Sequence, residues 1–132
     1  MFVPNMIVLG KILLVEDDAS CLRNIADFLR GEGYEVVEAR DGAEAFDHLL
    51  TSADFDLILT DIRMPRTNGI RLLEQARILS PKIPVILMSS FVNSDAREDV
   101  VSPDADDFIS KPFAFDRLLQ KINRTFDSRA AS

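Results

Sequence analysis

Short, almost wholly apolar segments alternate along this chain with longer segments in which apolar residues recur every three to four positions. The apolar segments have the length of strands, and the periodic segments have the spacing of helices that are buried on one side. Helices are predicted after each of the five strands, and the fourth helix, around 93–101, is weak and polar. The predicted strands cover 11–15, 35–39, 56–60, 84–88 and 107–110.

Strands without polar positions are buried on both faces, which indicates a mainly parallel sheet with helices on each side. The predicted fold class is therefore α/β, a doubly wound (βα)5 unit. The strand EVVEA at 35–39 has polar ends and is expected at a sheet edge. We expect an N-terminal extension at 1–10, one domain at 11–127 and a tail at 128–132.

Composition narrows the classes of function. The chain has 132 residues, 15 basic against 22 acidic, and a net charge of -7. Direct binding to nucleic acid is not expected, because phosphate backbones need a clustered basic surface. No apolar run is long enough for a membrane helix, and Lys11 interrupts the apolar N-terminus, which therefore does not have the pattern of a signal peptide. The single cysteine, Cys21, excludes an internal disulfide and fits a cytoplasmic protein.

Polar side chains follow four of the predicted strands. Strand 11–15 is followed by Glu16, Asp17 and Asp18, and Asp61 follows strand 56–60. Ser89 and Lys111 follow the last two strands. Binding sites of parallel sheets lie outside the carboxyl ends of the strands, so these groups are expected to converge.

Carboxylates that lie close together need a cation to stay ionised, and Mg²⁺ prefers carboxylate oxygens together with water and phosphoryl oxygens. A lysine and a hydroxyl on the opposite rim complete the groups of a phosphoryl-transfer site, with an aspartate as the candidate nucleophile.

Four segments together resemble the receiver domain of bacterial two-component response regulators: ILLVEDD (12–18), LILTDIRMPRTNG (57–69), VILMSS (85–90) and ADDFISKPF (105–113). The resemblance implies a flavodoxin-like fold with five parallel strands in the order 2-1-3-4-5. It also implies a protein that catalyses its own phosphorylation and dephosphorylation but serves mainly as a signalling switch.

The resemblance assigns a role to each site residue. It implies that Asp61 is the phosphoacceptor and that Lys111 contacts a phosphoryl oxygen across a cis bond to Pro112. It implies Mg²⁺ ligation by Asp17 directly, by Glu16 through water, by Asp61 and by the backbone carbonyl of Arg63. Ser89 and Phe108 would be the switch residues, although Phe108 stands where the family often has tyrosine. Asp18 is interpreted as a helix N-terminal residue.

The resemblance also implies partners. A sensor histidine kinase or phosphotransfer protein would supply the phosphoryl group. A downstream protein would bind a surface formed by the helix around 93–101, the strand 107–110 and the last helix. Only DSRAAS follows Phe126, so we expect a stand-alone receiver.

Two alternatives stay open. The first is a receiver cut from a larger regulator or hybrid kinase, which the length of the gene would reveal. The second is a Mg²⁺-dependent aspartyl-phosphate phosphatase resembling the haloacid dehalogenase family. Such a phosphatase needs a second aspartate two residues after the nucleophile, and that position here is Arg63.

Overall fold

The structure is a computed structural model that describes residues 8–52, 54–63, 69–89 and 105–131, with side chains up to 128. The weak helix predicted around 93–101 lies outside these residues, as does most of the N-terminal extension predicted at 1–10. The strands are β1 (Lys11–Val15), β2 (Glu35–Ala39), β3 (Leu57–Asp61), β4 (Val85–Ser89) and β5 (Asp107–Ser110). The described helices are α1 (Ala19–Gly31), α2 (Gly42–Thr51), α3 (Gly69–Leu79) and α4 (Phe115–Ala131).

All five strands pair in parallel in the order β2-β1-β3-β4-β5, which confirms the predicted fold class and strand order. The strand 35–39 lies at an edge of the sheet, as its polar ends predict. β3 and β4 each lie one residue further along the chain than predicted, because Asp61 pairs with Met88 and Ser89 pairs with Ser110. Backbone groups make these ladder bonds, so a polar side chain does not end a strand.

The core consists of two apolar layers, one on each face of the sheet. Successive residues of a strand point to opposite faces, so Ile12 and Leu14 join one layer while Leu13 and Val15 join the other. The first layer is shared with α1 and α4, and the second with α2 and α3. Burial on both faces explains why β1, β3 and β4 are almost wholly apolar.

The chain around α1 is fixed at both ends. Asp18 caps the N-terminus of the helix, where its side chain accepts a hydrogen bond from the Cys21 N–H at 2.9 Å. After the helix, Gly33 takes a φ of 104°, a conformation that glycine adopts without steric cost. The Tyr34 N–H then donates to the Leu29 carbonyl, which closes the last turn and leads the chain into β2.

The two ends of the domain extend its hydrogen-bonded structure. The Leu9 N–H donates to the Gly33 carbonyl at 3.0 Å, and the Glu35 N–H donates to the Gly10 carbonyl at 2.9 Å. The last helix continues to Ala131. The domain limits at 10 and 127 stay predictions. Within the described ranges, none of the helices is both long and apolar enough to cross a membrane.

Candidate phosphoryl-transfer site

Three side chains from separate strands meet at the carboxyl edge of the sheet. Asp61 is the last residue of β3, Glu16 follows β1, and Lys111 follows β5. The Lys111 Nζ donates to Asp61 Oδ2 at 2.9 Å and also to Glu16 Oε1. The parallel register therefore brings residues 95 positions apart into one ion-paired group.

Glu16, Asp17 and Asp61 form a carboxylate cluster. Each residue offers an oxygen, and these oxygens lie within 4.8 Å of one another. Glu16 and Asp61 are buried, with 1% and 5% of their surface exposed, while Asp17 is less buried. An all-oxygen donor set without histidine or cysteine fits a hard divalent cation such as Mg²⁺. The residues present therefore fit the cation that the sequence predicts.

Burial and pairing act on the pKa values of this group. Burial raises the pKa of Glu16, since the charged form loses hydration, and the nearby negative charge of Asp61 raises it further. The hydrogen bond from Lys111 lowers the pKa of Glu16 but does not cancel the effect of burial. Burial would lower the pKa of Lys111, but its hydrogen bonds to Glu16 and Asp61 outweigh burial and raise that pKa. Lys111 therefore stays charged at neutral pH, and it offsets part of the negative charge of the cluster.

The backbone beside Asp61 is arranged around its side chain. The Arg63 N–H donates to Asp61 Oδ1 at 3.4 Å, while Oδ2 accepts from Lys111. The Gly69 N–H donates to the Ile62 carbonyl at 2.8 Å, which brings the start of α3 against the end of β3. A Cβ on Gly69 would overlap the Asp61 backbone carbonyl oxygen. Glycine at position 69 therefore allows this close approach.

The other predicted site residues lie at the ends of strands, within β5 and at the start of α1. Ser89 ends β4 with 1% of its surface exposed, and its carbonyl accepts a hydrogen bond from the Lys111 N–H at 2.6 Å. The Lys111–Pro112 peptide bond is cis, as the resemblance implies. Phe108, in β5, is half-buried against the layer of α2 and α3. Asp18 caps α1, and its N–H donates to Glu16 Oε2 at 3.1 Å.

The sequence-based prediction assigns no role to Gly69 or Lys121, although both lie beside predicted site residues. Gly69 closes the quoted motif at 57–69, but its contact with Asp61 depends on how α3 packs on β3. Lys121 lies with its Nζ 3.1 Å from Asp107 Oδ1 and 5.9 Å from the centre of the Phe108 ring. No periodic signal in the sequence connects a helix lysine to a residue fourteen positions earlier.

Comparison with known proteins decides the family. A family model described as "Response regulator receiver domain" matches residues 12–123. This chain belongs to the response regulator receiver family. The transcriptional regulatory protein ZraR of Salmonella typhimurium is 35% identical to this receiver domain over 117 residues. The match covers 87% of the receiver chain and 26% of ZraR, so the chain spans about a quarter of the length of that relative.

Solved structures agree with this receiver fold. A CheY-like receiver domain protein of Methanospirillum hungatei has a TM-score of 0.84 and 32% identity, and the match covers 93% of this chain and 98% of that one. The response regulator TrrA of Thermotoga maritima, solved in complex with Mg²⁺ and beryllium fluoride, has a TM-score of 0.80 and 30% identity. That match covers 89% of this chain and 99% of TrrA.

Proposed function

We propose that this receiver domain accepts a phosphoryl group on the Asp61 carboxylate. The donor would be a phosphohistidine of a sensor histidine kinase or of a phosphotransfer protein. One observation carries the proposal: Lys111 joins Asp61 to the buried Glu16 at a sheet edge where three carboxylates converge. Buried carboxylates, a lysine and a cation-binding donor set are the groups that phosphoryl transfer requires.

Asp61 is held as a nucleophile. Both of its carboxylate oxygens accept hydrogen bonds, Oδ2 from Lys111 and Oδ1 from the Arg63 N–H, so its orientation is set before a donor arrives. In the proposed step a carboxylate oxygen forms a bond to phosphorus. The bond from phosphorus to the donor nitrogen breaks, and its electron pair returns to the imidazole. Lys111, with three N–H donors on Nζ, offsets the charge that develops on the phosphoryl oxygens.

Mg²⁺ would be held by Glu16, Asp17, Asp61 and the backbone carbonyl of Arg63. When bound, the ion neutralises charge on the phosphoryl oxygens and on the carboxylates. The complex of TrrA with Mg²⁺ and beryllium fluoride supports this assignment by analogy, as does the spacing of the carboxylate oxygens here. Glu16 would act mainly through a bound water.

Phosphorylation would turn the site into a switch. It adds a charge of roughly -1.5 to -2 and several strong acceptor oxygens at Asp61. Lys111 and the Ser89 hydroxyl would bond the phosphoryl group, and Phe108 would change position. This changes the affinity of the surface formed by the region 93–101, β5 and α4 for a downstream protein partner. We propose that the reaction takes place in the cytoplasm, in keeping with the single cysteine.

The receiver either stands alone or belongs to a longer regulator. The Methanospirillum hungatei chain is nearly the same length, because 98% of it is covered, whereas ZraR is more than three times as long as this chain. The phosphatase alternative is not favoured by any contact at the site, since Arg63 occupies the position where that class needs an aspartate.

The experiment is phosphorylation by a small acyl phosphate with Mg²⁺, followed by intact-mass spectrometry. We expect the wild-type chain to gain the mass of one phosphoryl group and Asp61→Asn to gain none. Asp47→Asn, at an exposed position of α2, is the matched control and is expected to behave like wild type. An equal gain in wild type and Asp61→Asn would disprove the assignment of Asp61 as phosphoacceptor.

A further inference from the structure

Lys121 of α4 pairs with Asp107 and lies near the ring of the predicted switch residue, Phe108. Its Nζ lies 3.1 Å from Asp107 Oδ1 and 5.9 Å from the centre of the Phe108 ring. The side chains of Lys121 and Asp107 are mostly covered, with 12% and 21% of their surface exposed. A mostly covered ion pair holds its two side chains in a defined geometry, unlike a pair that is free in solvent.

The position of β5 explains how a helix lysine comes near this ring. β5 is the last strand in the sheet order, and α4 packs on one of its faces through Leu118 and Ile122, in the same layer as Ile109. Phe108 belongs to the opposite layer. Lys121 therefore extends past the edge of β5, from the face that carries α4 toward the ring on the other face.

Asp107 connects the lysine to the backbone of Phe108. Asp107 Oδ1 accepts from the Lys121 Nζ and also from the Phe108 N–H at 2.7 Å. The lysine charge near the ring attracts its π electrons, and the carboxylate keeps the ammonium in place. A phenylalanine has no hydroxyl, so its ring cannot be fixed by a hydrogen bond of its own.

Asp61 is the group whose phosphorylation would change the position of this ring. Asp61 Oδ2 accepts from Lys111 and Oδ1 accepts from the Arg63 N–H, so both oxygens are bonded as in an unmodified carboxylate. A phosphoryl group on either oxygen would replace one of these bonds.

We propose that Lys121 is a positioning residue that holds the Phe108 ring in the position of the unphosphorylated protein. Its attraction for the ring and its anchor on Asp107 bias the switch toward that position until phosphorylation changes the site. This inference rests on the proposed phosphorylation of Asp61. It predicts that loss of the lysine charge shifts the ratio of the two ring positions by about two- to five-fold, the size expected of one partly covered contact between a cation and a ring.

The test is aromatic NMR of protein with ¹³C-labelled phenylalanine rings, with Mg²⁺ alone and with Mg²⁺ plus beryllium fluoride, which imitates a phosphoryl group. The chain has nine phenylalanines, and the spectrum of Phe108→Leu identifies the Phe108 signal. The variants are Lys121→Met, which keeps the long apolar stem, Lys121→Arg, which keeps the charge, and Asp107→Asn, which weakens the anchor. Lys82→Met, at an exposed position before β4, is the control.

We expect beryllium fluoride to move the Phe108 signal of the wild-type protein. Without it, the signal of Lys121→Met and Asp107→Asn should move part of the way in the same direction, while Lys121→Arg and Lys82→Met keep the wild-type position. A purely structural lysine would change the melting temperature and leave this signal in place. If the wild-type protein responds to beryllium fluoride but the Phe108 signal of Lys121→Met is unchanged or shifts in the opposite direction, the role of Lys121 is overturned and the proposed function is not. A wild-type protein that does not respond to beryllium fluoride overturns the proposed function as well.

Discussion

At the scale of single residues, Gly69 is the clearest steric constraint on the site. A Cβ at this position would overlap the Asp61 carbonyl oxygen and would lie 3.1 Å from the Ile62 Cα, both of them backbone atoms that cannot turn aside. We expect Gly69→Ala to lower the free energy of unfolding by about 1–3 kcal/mol, the usual cost of overpacking. We also expect it to slow phosphorylation by displacing Asp61. Urea denaturation and the rate of mass gain measure the two effects.

Gly31→Ala is the matched control for Gly69→Ala. Gly31 is the last residue of α1, and a Cβ there would meet nothing within 4 Å. Alanine should therefore be neutral or slightly stabilising, by up to about 1 kcal/mol, because it restricts the unfolded chain. Equal destabilisation by both substitutions would contradict the steric explanation.

The thiol of Cys21 is expected to react slowly with alkylating reagents. Burial raises its pKa to about 11, and the negative charge of Glu16 adds to this effect. Only the thiolate reacts with iodoacetamide, so at neutral pH we expect alkylation of the folded protein to be roughly a hundredfold slower than in urea. Since Cys21 is the only cysteine, whole-protein mass reports its reaction.

The pH profile separates the pKa of Cys21 from simple shielding. The folded protein keeps the thiol protonated to higher pH than the unfolded chain does, so the alkylation rate should keep rising toward pH 11. Folding stability should fall as the pH rises from the ordinary thiol pKa through the folded value, since the unfolded chain ionises first. A rate that levels off near pH 9 would show that access to the thiol, and not its pKa, limits the reaction.

At the scale of secondary-structure elements, the start of α1 gives the neighbouring acids Asp17 and Asp18 different roles, because Asp18 caps the helix. The Asp18 side chain accepts from the Cys21 N–H at 2.9 Å, as the Asp41 side chain of α2 accepts from the Glu44 N–H at 2.8 Å. We expect Asp18→Ala and Asp41→Ala each to cost about 0.5–2 kcal/mol of stability, the range of a lost helix cap. Asp18→Ala should leave Mg²⁺ affinity nearly unchanged.

Asp17→Asn should show the opposite result. It removes one charge from the carboxylate cluster and leaves the α1 cap intact, so Mg²⁺ affinity should fall while stability without the ion changes little or rises. Denaturation without Mg²⁺ and titration calorimetry with Mg²⁺ measure the two quantities for each variant. A loss of Mg²⁺ affinity in Asp18→Ala equal to that in Asp17→Asn would contradict the division of roles.

The sequence predicts the strands of the fold but not the side-chain pairs between distant elements. Hydrophobic runs and helical periods predict the strands to within one residue, because burial on both faces of the sheet determines them. Side-chain pairs between distant elements have no such period. Arg77 of α3 binds both the Ile83 carbonyl and the Asp106 carboxylate, and Lys121 binds Asp107. These contacts follow from packing angles that local sequence does not specify.

Some residues of the candidate site could be predicted from the sequence, and others could not. Asp61, Glu16, Asp17 and Lys111 could be predicted because parallel strands end at one edge, so residues after separate strands must lie together. The close approach of Gly69 depends on α3 packing against β3, which spacing along the chain does not give. The role of Gly69 is therefore visible only in the structure.

At the scale of the whole molecule, part of the surplus of acidic residues lies at the candidate site. Among the residues that the structure describes, three carboxylates have oxygens within 4.8 Å of one another, and the charge of Lys111 offsets only part of theirs. At a separation of about 4 Å, one uncompensated pair of like charges costs about 1–4 kcal/mol, depending on the surrounding dielectric. The fold tolerates this cost at the position where a divalent cation would remove it.

Mg²⁺ should therefore stabilise the whole fold. An ion that binds only the folded state at a hundred times its dissociation constant adds about 2.7 kcal/mol, which corresponds to roughly 10 °C in melting temperature for a chain of this size. Asp61→Asn should melt higher than wild type without Mg²⁺, because it relieves repulsion from two neighbouring carboxylates. Its response to Mg²⁺ should be smaller, since one ligand has lost its charge.

Thermal melts in Mg²⁺, and in NaCl of equal ionic strength, separate binding from general screening of charge. Binding at the cluster requires that Mg²⁺ raises the wild-type melting temperature well beyond NaCl, and that Asp61→Asn narrows this difference. Asp47→Asn removes a charge of the same sign at an exposed position outside the cluster and should respond to Mg²⁺ as wild type does. If Mg²⁺ and NaCl give equal shifts in wild type, the carboxylate cluster does not bind the ion.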